Sequence, residues 1–171
     1  MKSFVIIFAL IMSFLSFESK AQSYPVPENY TLKAKEDYAK YEPDIIKTID
    51  WLQQTPWGDQ PERKKANAFV VAWLTGSPAV SLTINSDILM QYCNKNGELL
   101  MSYIGGYVKY ALQHKSDFTV IQGDVEGVKA MIEKYNSDPG RIKDDKMEKL
   151  TKIDKDGKLE AWVKSDFEKK K

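Results

Sequence analysis

Apolar residues recur along most of this chain with the period of an α-helix, and the breaks fall at proline, glycine and asparagine. In residues 35–54, Tyr38, Tyr41, Ile45, Ile49 and Leu52 share one face, with Pro43 expected to kink the helix or start a second one. Residues 61–75 carry the clearest stripe: Ala66, Phe69, Val70, Trp73 and Leu74 face inward, and Arg63, Lys64, Lys65 and Asn67 face away. Residues 87–94 form a short helix with Ser86 as its expected N-cap, and Ile88, Leu89, Tyr92 and Cys93 on one face. Residues 98–114 turn Leu100, Tyr103, Ile104, Tyr107, Val108 and Ala111 inward. A helix over 124–136, capped by Asp124, and two charged helices near 144–153 and 157–169 complete the set.

Three stretches break this period. Phe4 to Phe17 is an almost unbroken apolar run after Lys2, and Ser19-Lys20-Ala21 sets small residues where a signal peptidase cuts. The run is about 14 residues, short of the ~20 a spanning helix needs. Residues 1–21 are therefore expected to be a cleaved signal peptide, sending the protein to the periplasm or outside the cell. Residues 22–34, with Pro25 and Pro27, read as an extended N-terminal arm. Residues 79–84 (AVSLTI) alternate like a strand, yet no partner strand is evident nearby, so an extended connector is expected. The expected fold is all-α: a single domain over 35–171, a compact bundle of six to seven helices with at most one short extended segment near 79–84.

Charge narrows the function classes. The chain holds 25 basic and 24 acidic residues, and loss of Lys2, Lys20 and Glu18 with the leader leaves the two signs equal. A neutral domain is poorly suited to nucleic acid, which is bound by displacing counterions with net positive charge. Strong attraction to an anionic membrane is disfavoured for the same reason. The single cysteine, Cys93, rules out an internal disulfide, so packing alone must hold the fold.

Candidate chemistry is sparse. Cys93, His114 and Asp117 are the parts of a cysteine-nucleophile site, but Cys93 sits at core spacing with Leu89 and Tyr92, and His114 falls in the last turn of a helix. Asp154 to Lys158 hints at a calcium loop. Alignment on Gly157 puts Lys152 at the first ligand position and Val163 at the twelfth, so an Asp-Gly turn is expected instead. One histidine and one cysteine leave only carboxylates for a metal. No glycine-rich phosphate loop or serine-hydrolase elbow occurs. No catalytic residue, metal or cofactor is assigned.

Aromatic residues offer the better lead. Trp57 lies in a Pro-Trp-Gly loop, where an exposed ring can anchor a partner and a folded one serves as a lid. Gly105 and Gly106 interrupt a helix at about 1 kcal/mol each relative to alanine. Close approach of another helix or of a ligand would explain them, with Tyr103, Tyr107 and Tyr110 lining a groove. Trp57, Tyr103, Gly105, Gly106 and Tyr107 are the candidate binding residues.

At KEDYAKYEPDIIKTIDWLQQTP, NAFVVAWLTGSP and LLMSYIGGYVKYAL the chain resembles a group of small exported helical proteins of Bacteroidota-type bacteria. That resemblance implies a fold and an address, without an activity. Cys93 followed by Tyr103-Ile104-Gly105-Gly106 also resembles exported helical immunity proteins of the Rap1a/Tai type. Those carry a second cysteine just before the tyrosine, where this chain has Met101 and Ser102, and no functional residue is transferred. The expected role is non-enzymatic binding of another protein or an envelope component, as an interaction, inhibitor or immunity-like protein. The alternative is an envelope or carbohydrate hydrolase using dispersed carboxylates.

Overall fold

A computed structural model describes residues 26–58, 60–84 and 86–167. The signal-peptide reading of residues 1–21 and the first part of the 22–34 arm lie outside the described residues, as does the basic C-terminal tail. Among the described residues there are seven α-helices and no strand: α1 Lys35–Gln54, α2 Pro61–Gly76, α3 Ser86–Cys93, α4 Leu99–Gln113, α5 Val120–Ser137, α6 Asp145–Lys155 and α7 Leu159–Phe167. The fold is an all-α bundle. No helix among the described residues is long and apolar enough to cross a membrane.

Local chemistry sets most helix ends. Asp37 starts α1 by accepting hydrogen bonds from the Lys33 and Ala34 main-chain N–H groups at 3.0 and 2.9 Å. These bonds, the Ala34 one foremost, hold its carboxyl below the usual range. Asp144 caps α6 through the Lys146 N–H at 2.8 Å. Past the end of α6, Gly157 N–H donates to the Asp154 carbonyl and Lys158 N–H to the Ile153 carbonyl. Gly157 has φ +69°, so this is a glycine-terminated Schellman turn, which accounts for the Asp-Gly pair.

Four expectations change. α1 runs through Pro43 as one helix, so no second helix starts there. α5 begins at Val120, four residues before the expected start, because Thr119 caps it by accepting from the Gln122 N–H at 3.3 Å. Asp124 is thus no cap: it lies inside α5 and is buried. Arg63 does not face solvent either, as it is only 3% exposed. α3 starts at Ser86, which puts the cap position on residue 85, outside the described residues.

α4 and α5 form the centre of the bundle. α1 packs against α4, α5 and α2, while α3 packs on α4 and α6, and α7 on α5 and α6. The core runs continuously through Ile45, Phe69, Trp73, Tyr103, Val108, Met131 and Val163. The remaining arm residues lie on this body. Val26, Tyr30 and Leu32 pack on the core, with the Tyr30 ring 4.7 Å from that of Phe69.

α4 and α5 meet through glycine. A Cβ on Gly106 would lie 2.5 Å from the Glu126 carbonyl oxygen and 2.7 Å from the Ala130 Cβ. On α5, a Cβ on Gly127 would meet the Tyr103 ring at 2.7 Å, and one on Gly123 the Tyr107 ring at 2.7 Å. Gly106 of α4 and the Gly123-x-x-x-Gly127 ridge of α5 thus let two backbones approach closely, while Gly105 faces Ile49 of α1. Alanine at Gly106 gains about 1 kcal/mol of helix propensity. It must also push a backbone carbonyl aside, and overpacking of this kind costs about 1–3 kcal/mol. Gly106→Ala is therefore expected to lower the urea midpoint. Gly97→Ala, whose Cβ meets nothing within 4 Å, should leave it unchanged or raise it slightly. Equal effects at the two sites would contradict the close-approach reading.

Candidate functional site

The C-terminal end of α1 has no basic residue in its last turn. Its carbonyls are satisfied by cations from elsewhere in the chain. Arg63 Nη1 of α2 donates to the Leu52 and Thr55 carbonyls at 3.1 and 2.8 Å, and its Nη2 pairs with Glu98 at 3.0 Å. Lys134 Nζ of α5 donates to the Gln53 and Thr55 carbonyls at 3.1 and 2.6 Å. Lys134 also pairs with Asp138 at 3.0 Å, and both side chains are almost fully buried. Burial pushes the Lys134 ammonium down from its usual range, with Asp138 opposing that shift. Burial pushes Asp138 up, but bonds from Lys134, Gly140 and Trp57 outweigh it and hold the carboxyl low.

Trp57 belongs to this cluster. Its main-chain N–H donates to Asp138 Oδ2 at 2.8 Å, and Lys134 Nζ lies 5.9 Å from its ring. The side chain is half-buried against the core, and its indole Nε1 is shielded from solvent. The loop is therefore drawn onto the end of the bundle.

The other candidates divide between two sides of the α4–α5 contact. Tyr103 is fully buried and donates to Asp124 Oδ1 at 2.6 Å. Burial, then this bond to the carboxylate, drives its phenol far above the usual range. Gly105 faces Ile49 at 3.0 Å for an added Cβ and borders only a cavity of about 10 Å³. Gly106 lies in a charged groove of about 340 Å³ between α1, α4 and α5. Asp50, Lys109, Tyr110, Glu126, Lys129 and Glu133 surround it there. Lys109 pairs with Asp50, and Lys129 with Glu126. Tyr110 stacks on His114 at 4.1 Å between ring centres.

Tyr107 leads to a different groove. Its hydroxyl donates to the Ser81 carbonyl at 3.1 Å, which ties the 77–84 connector to α4. Burial, then the Asp124 charge, pushes the phenol up to about 12. Beside it is a groove of about 500 Å³ with Ala111, Phe118 and Val120 on one wall and connector residues 78–81 and 83 on the other. Tyr107 and Phe118 pack edge to face at 5.5 Å, in the space that Gly123 leaves open. Val120 is 45% exposed at the rim. The one charged residue of this lining, Lys115, pairs with Glu42. This groove was not anticipated from the sequence. Its signals were the strand-like alternation of 79–84 and the apolar pair Phe118 and Val120 around the Thr119 cap.

Cys93, His114 and Asp117 do not assemble into a reactive set. His114 Nδ1 lies 3.4 Å from Asp117 Oδ1, but Cys93 is 3% exposed within the core cluster. Burial holds its thiol up at about 11, so it stays protonated near neutrality. Among the described residues, no three His, Cys, Asp or Glu side chains are grouped to hold a metal ion. No protein-family model matches the chain, and no curated protein or solved structure is significantly similar to it.

Two tests follow from these contacts. Asp138→Asn leaves Lys134 as a buried charge without its counterion, a change that costs about 3–5 kcal/mol. Because the folded-state carboxyl is held below its ordinary 3.8, the pair's contribution is complete above that value. It should decline as pH falls through the lower folded value, so the gap in urea midpoint between wild type and Asp138→Asn should narrow in acid. A gap that is constant with pH would contradict the ionised pair. For Cys93, maleimide should react only after denaturation, and rapid labelling of the native protein would overturn the core assignment.

Proposed function

We propose that this chain is an exported, non-enzymatic protein that binds another macromolecule through the groove between the 77–84 connector and the α4–α5 pair. The observation that carries this reading is the chemistry of that groove. Its helix-side wall of Tyr107, Ala111, Phe118 and Val120 is apolar and aromatic, its one charged liner, Lys115, pairs with Glu42, and Val120 leaves almost half its surface in water. Burying such surface against a partner is favourable by roughly 25 cal/mol per Å². A volume of this size suits a few apolar side chains of a protein. Inhibitor and immunity-like roles are versions of the same activity.

A second reading rests on the other groove. Asp50, Glu126 and Glu133 share it, and carboxylates in one concavity are the equipment of a glycan hydrolase. Two of the three are committed to lysines in the same walls, which favours the binding reading.

Affinity capture from the envelope fraction of the source cell tests the proposal. The partner recovered with the wild-type chain should fall at least tenfold with Val120→Asp, and should be retained with Trp57→Ala. Equal recovery by Val120→Asp would count against the groove. Hydrolysis of an envelope glycan that disappears with Glu133→Gln would favour the second reading instead.

A further inference from the structure

The link between α3 and α4 carries the chain's one Asn-Gly pair, Asn96-Gly97. The fold accounts for the asparagine. Its side chain is only 5% exposed, and its carboxamide makes two bonds to the link between α5 and α6. Asn96 Nδ2 donates to the Ile142 carbonyl, and Oδ1 accepts from the Ile142 N–H, both at 2.8 Å. The Asn96 carbonyl accepts from the Leu99 N–H at 3.0 Å. Beside this clasp, Lys95 Nζ donates to the Lys143 carbonyl at 3.2 Å. The fold does not account for the glycine. Gly97 has no positive φ, and a Cβ there would meet nothing within 4 Å. What glycine supplies is chemical. Without a Cβ, its main-chain nitrogen is the least hindered nucleophile that a following residue can present to an asparagine side chain, itself a labile amide.

We infer that Asn96-Gly97 is a self-modification site held shut by Ile142, and that opening of this clasp lets Asn96 convert irreversibly to an acid. In the open link the Gly97 nitrogen attacks Asn96 Cγ. The N–Cγ bond forms, the Cγ–Nδ2 bond breaks, and the Gly97 proton leaves with Nδ2 as ammonia. Water then opens the five-membered imide at either carbonyl, giving aspartate or isoaspartate with no change of oxidation state. The closed link blocks this step, because two bonds hold the carboxamide on Ile142 and a third holds the Asn96 carbonyl in its turn. The product does not restore the clasp. Aspartate still accepts from the Ile142 N–H, but it sets a charged oxygen against the Ile142 carbonyl where an amide had donated, and such a buried mismatch is destabilising. Isoaspartate adds a methylene to the main chain and shifts the side chain off Ile142. The α5–α6 link is therefore held more loosely in every molecule that has reacted. This inference stands apart from the groove reading above.

The test uses the full chain in mild base, with and without urea, and follows Asn96 by peptide mass and isoaspartate content. In urea, Asn96 should convert faster than any other asparagine of the chain, and Gly97→Ala should slow it at least tenfold. In native buffer, conversion should be at least tenfold slower than in urea. It should already rise at urea concentrations below the unfolding transition, since opening of the link suffices. The converted chain, separated by its added negative charge, should show a lower urea midpoint and faster hydrogen exchange at the Ile142 amide. Equal rates in native buffer and in urea, or a rate that rises only with global unfolding, would show that the clasp is not the gate and overturn the inference. No conversion in urea, or a converted chain with unchanged midpoint and unchanged Ile142 exchange, overturns it as well.

Discussion

Helices α4 and α5 approach so closely that a single methyl group at Gly106 would collide with the main chain of its neighbour at Glu126. Much of the structure is arranged around that contact. The room left by Gly127 holds the Tyr103 ring, and the room left by Gly123 holds those of Tyr107 and Phe118. Tyr103 then reaches Asp124, so a carboxylate carried into the core by α5 is met by a hydroxyl at 2.6 Å. A buried acid without such a partner would be strongly destabilising. Tyr107 extends the same contact outward by holding the connector through Ser81. The groove proposed as the binding site is thus an outer edge of the central helix pair, built from rings that the glycines of α5 make room for.

A second constraint closes the other end of the bundle. α1 ends in carbonyls that α2 and α5 satisfy, with Arg63 and Lys134 converging on Thr55. Asp138 balances Lys134 and also fixes the turn that follows α5, through Gly140 N–H, and the Trp57 loop, through its main-chain N–H. Asn96 clasps the same stretch further on, exchanging two 2.8 Å hydrogen bonds with the main chain of Ile142. Buried polar groups here join segments that are far apart in sequence. They supply the cross-linking that one unpaired cysteine cannot.

The helices themselves were legible because their apolar residues recur at helical spacing, and the bundle followed from short connections. Ile45, Phe69, Trp73, Tyr103 and Val163 fell where that spacing put them. Arg63 did not, because nothing local marks a buried arginine: its partners are the carbonyls of Leu52 and Thr55 on the preceding helix and loop. Asp124 misled for a related reason. An acidic residue before an apolar run reads as a cap, and only the fold brings Tyr103 to it. The true start of α5 was available in the Thr119-x-x-Gln122 spacing, a capping signature that the eye passes over beside Phe118. Of the candidate binding residues, the pattern around Gly105 and Gly106 marked a helix that another helix approaches closely. It could not separate tyrosines enclosed by α5 from those at a groove, since that division depends on which glycine of α5 each ring meets.

Native-state hydrogen exchange tests the central role of the α4–α5 pair most directly, because each amide reports the free energy of the opening that exposes it. Amides around Tyr103 to Val108 and Gly127 to Met131 are expected to exchange last, and only through global unfolding. Those of α1 and α2 should open earlier, and Ser81 and Thr83 should exchange fastest among these segments. If α1 and α2 retain protection after α4 and α5 have exchanged, the glycine contact is not what the fold depends on.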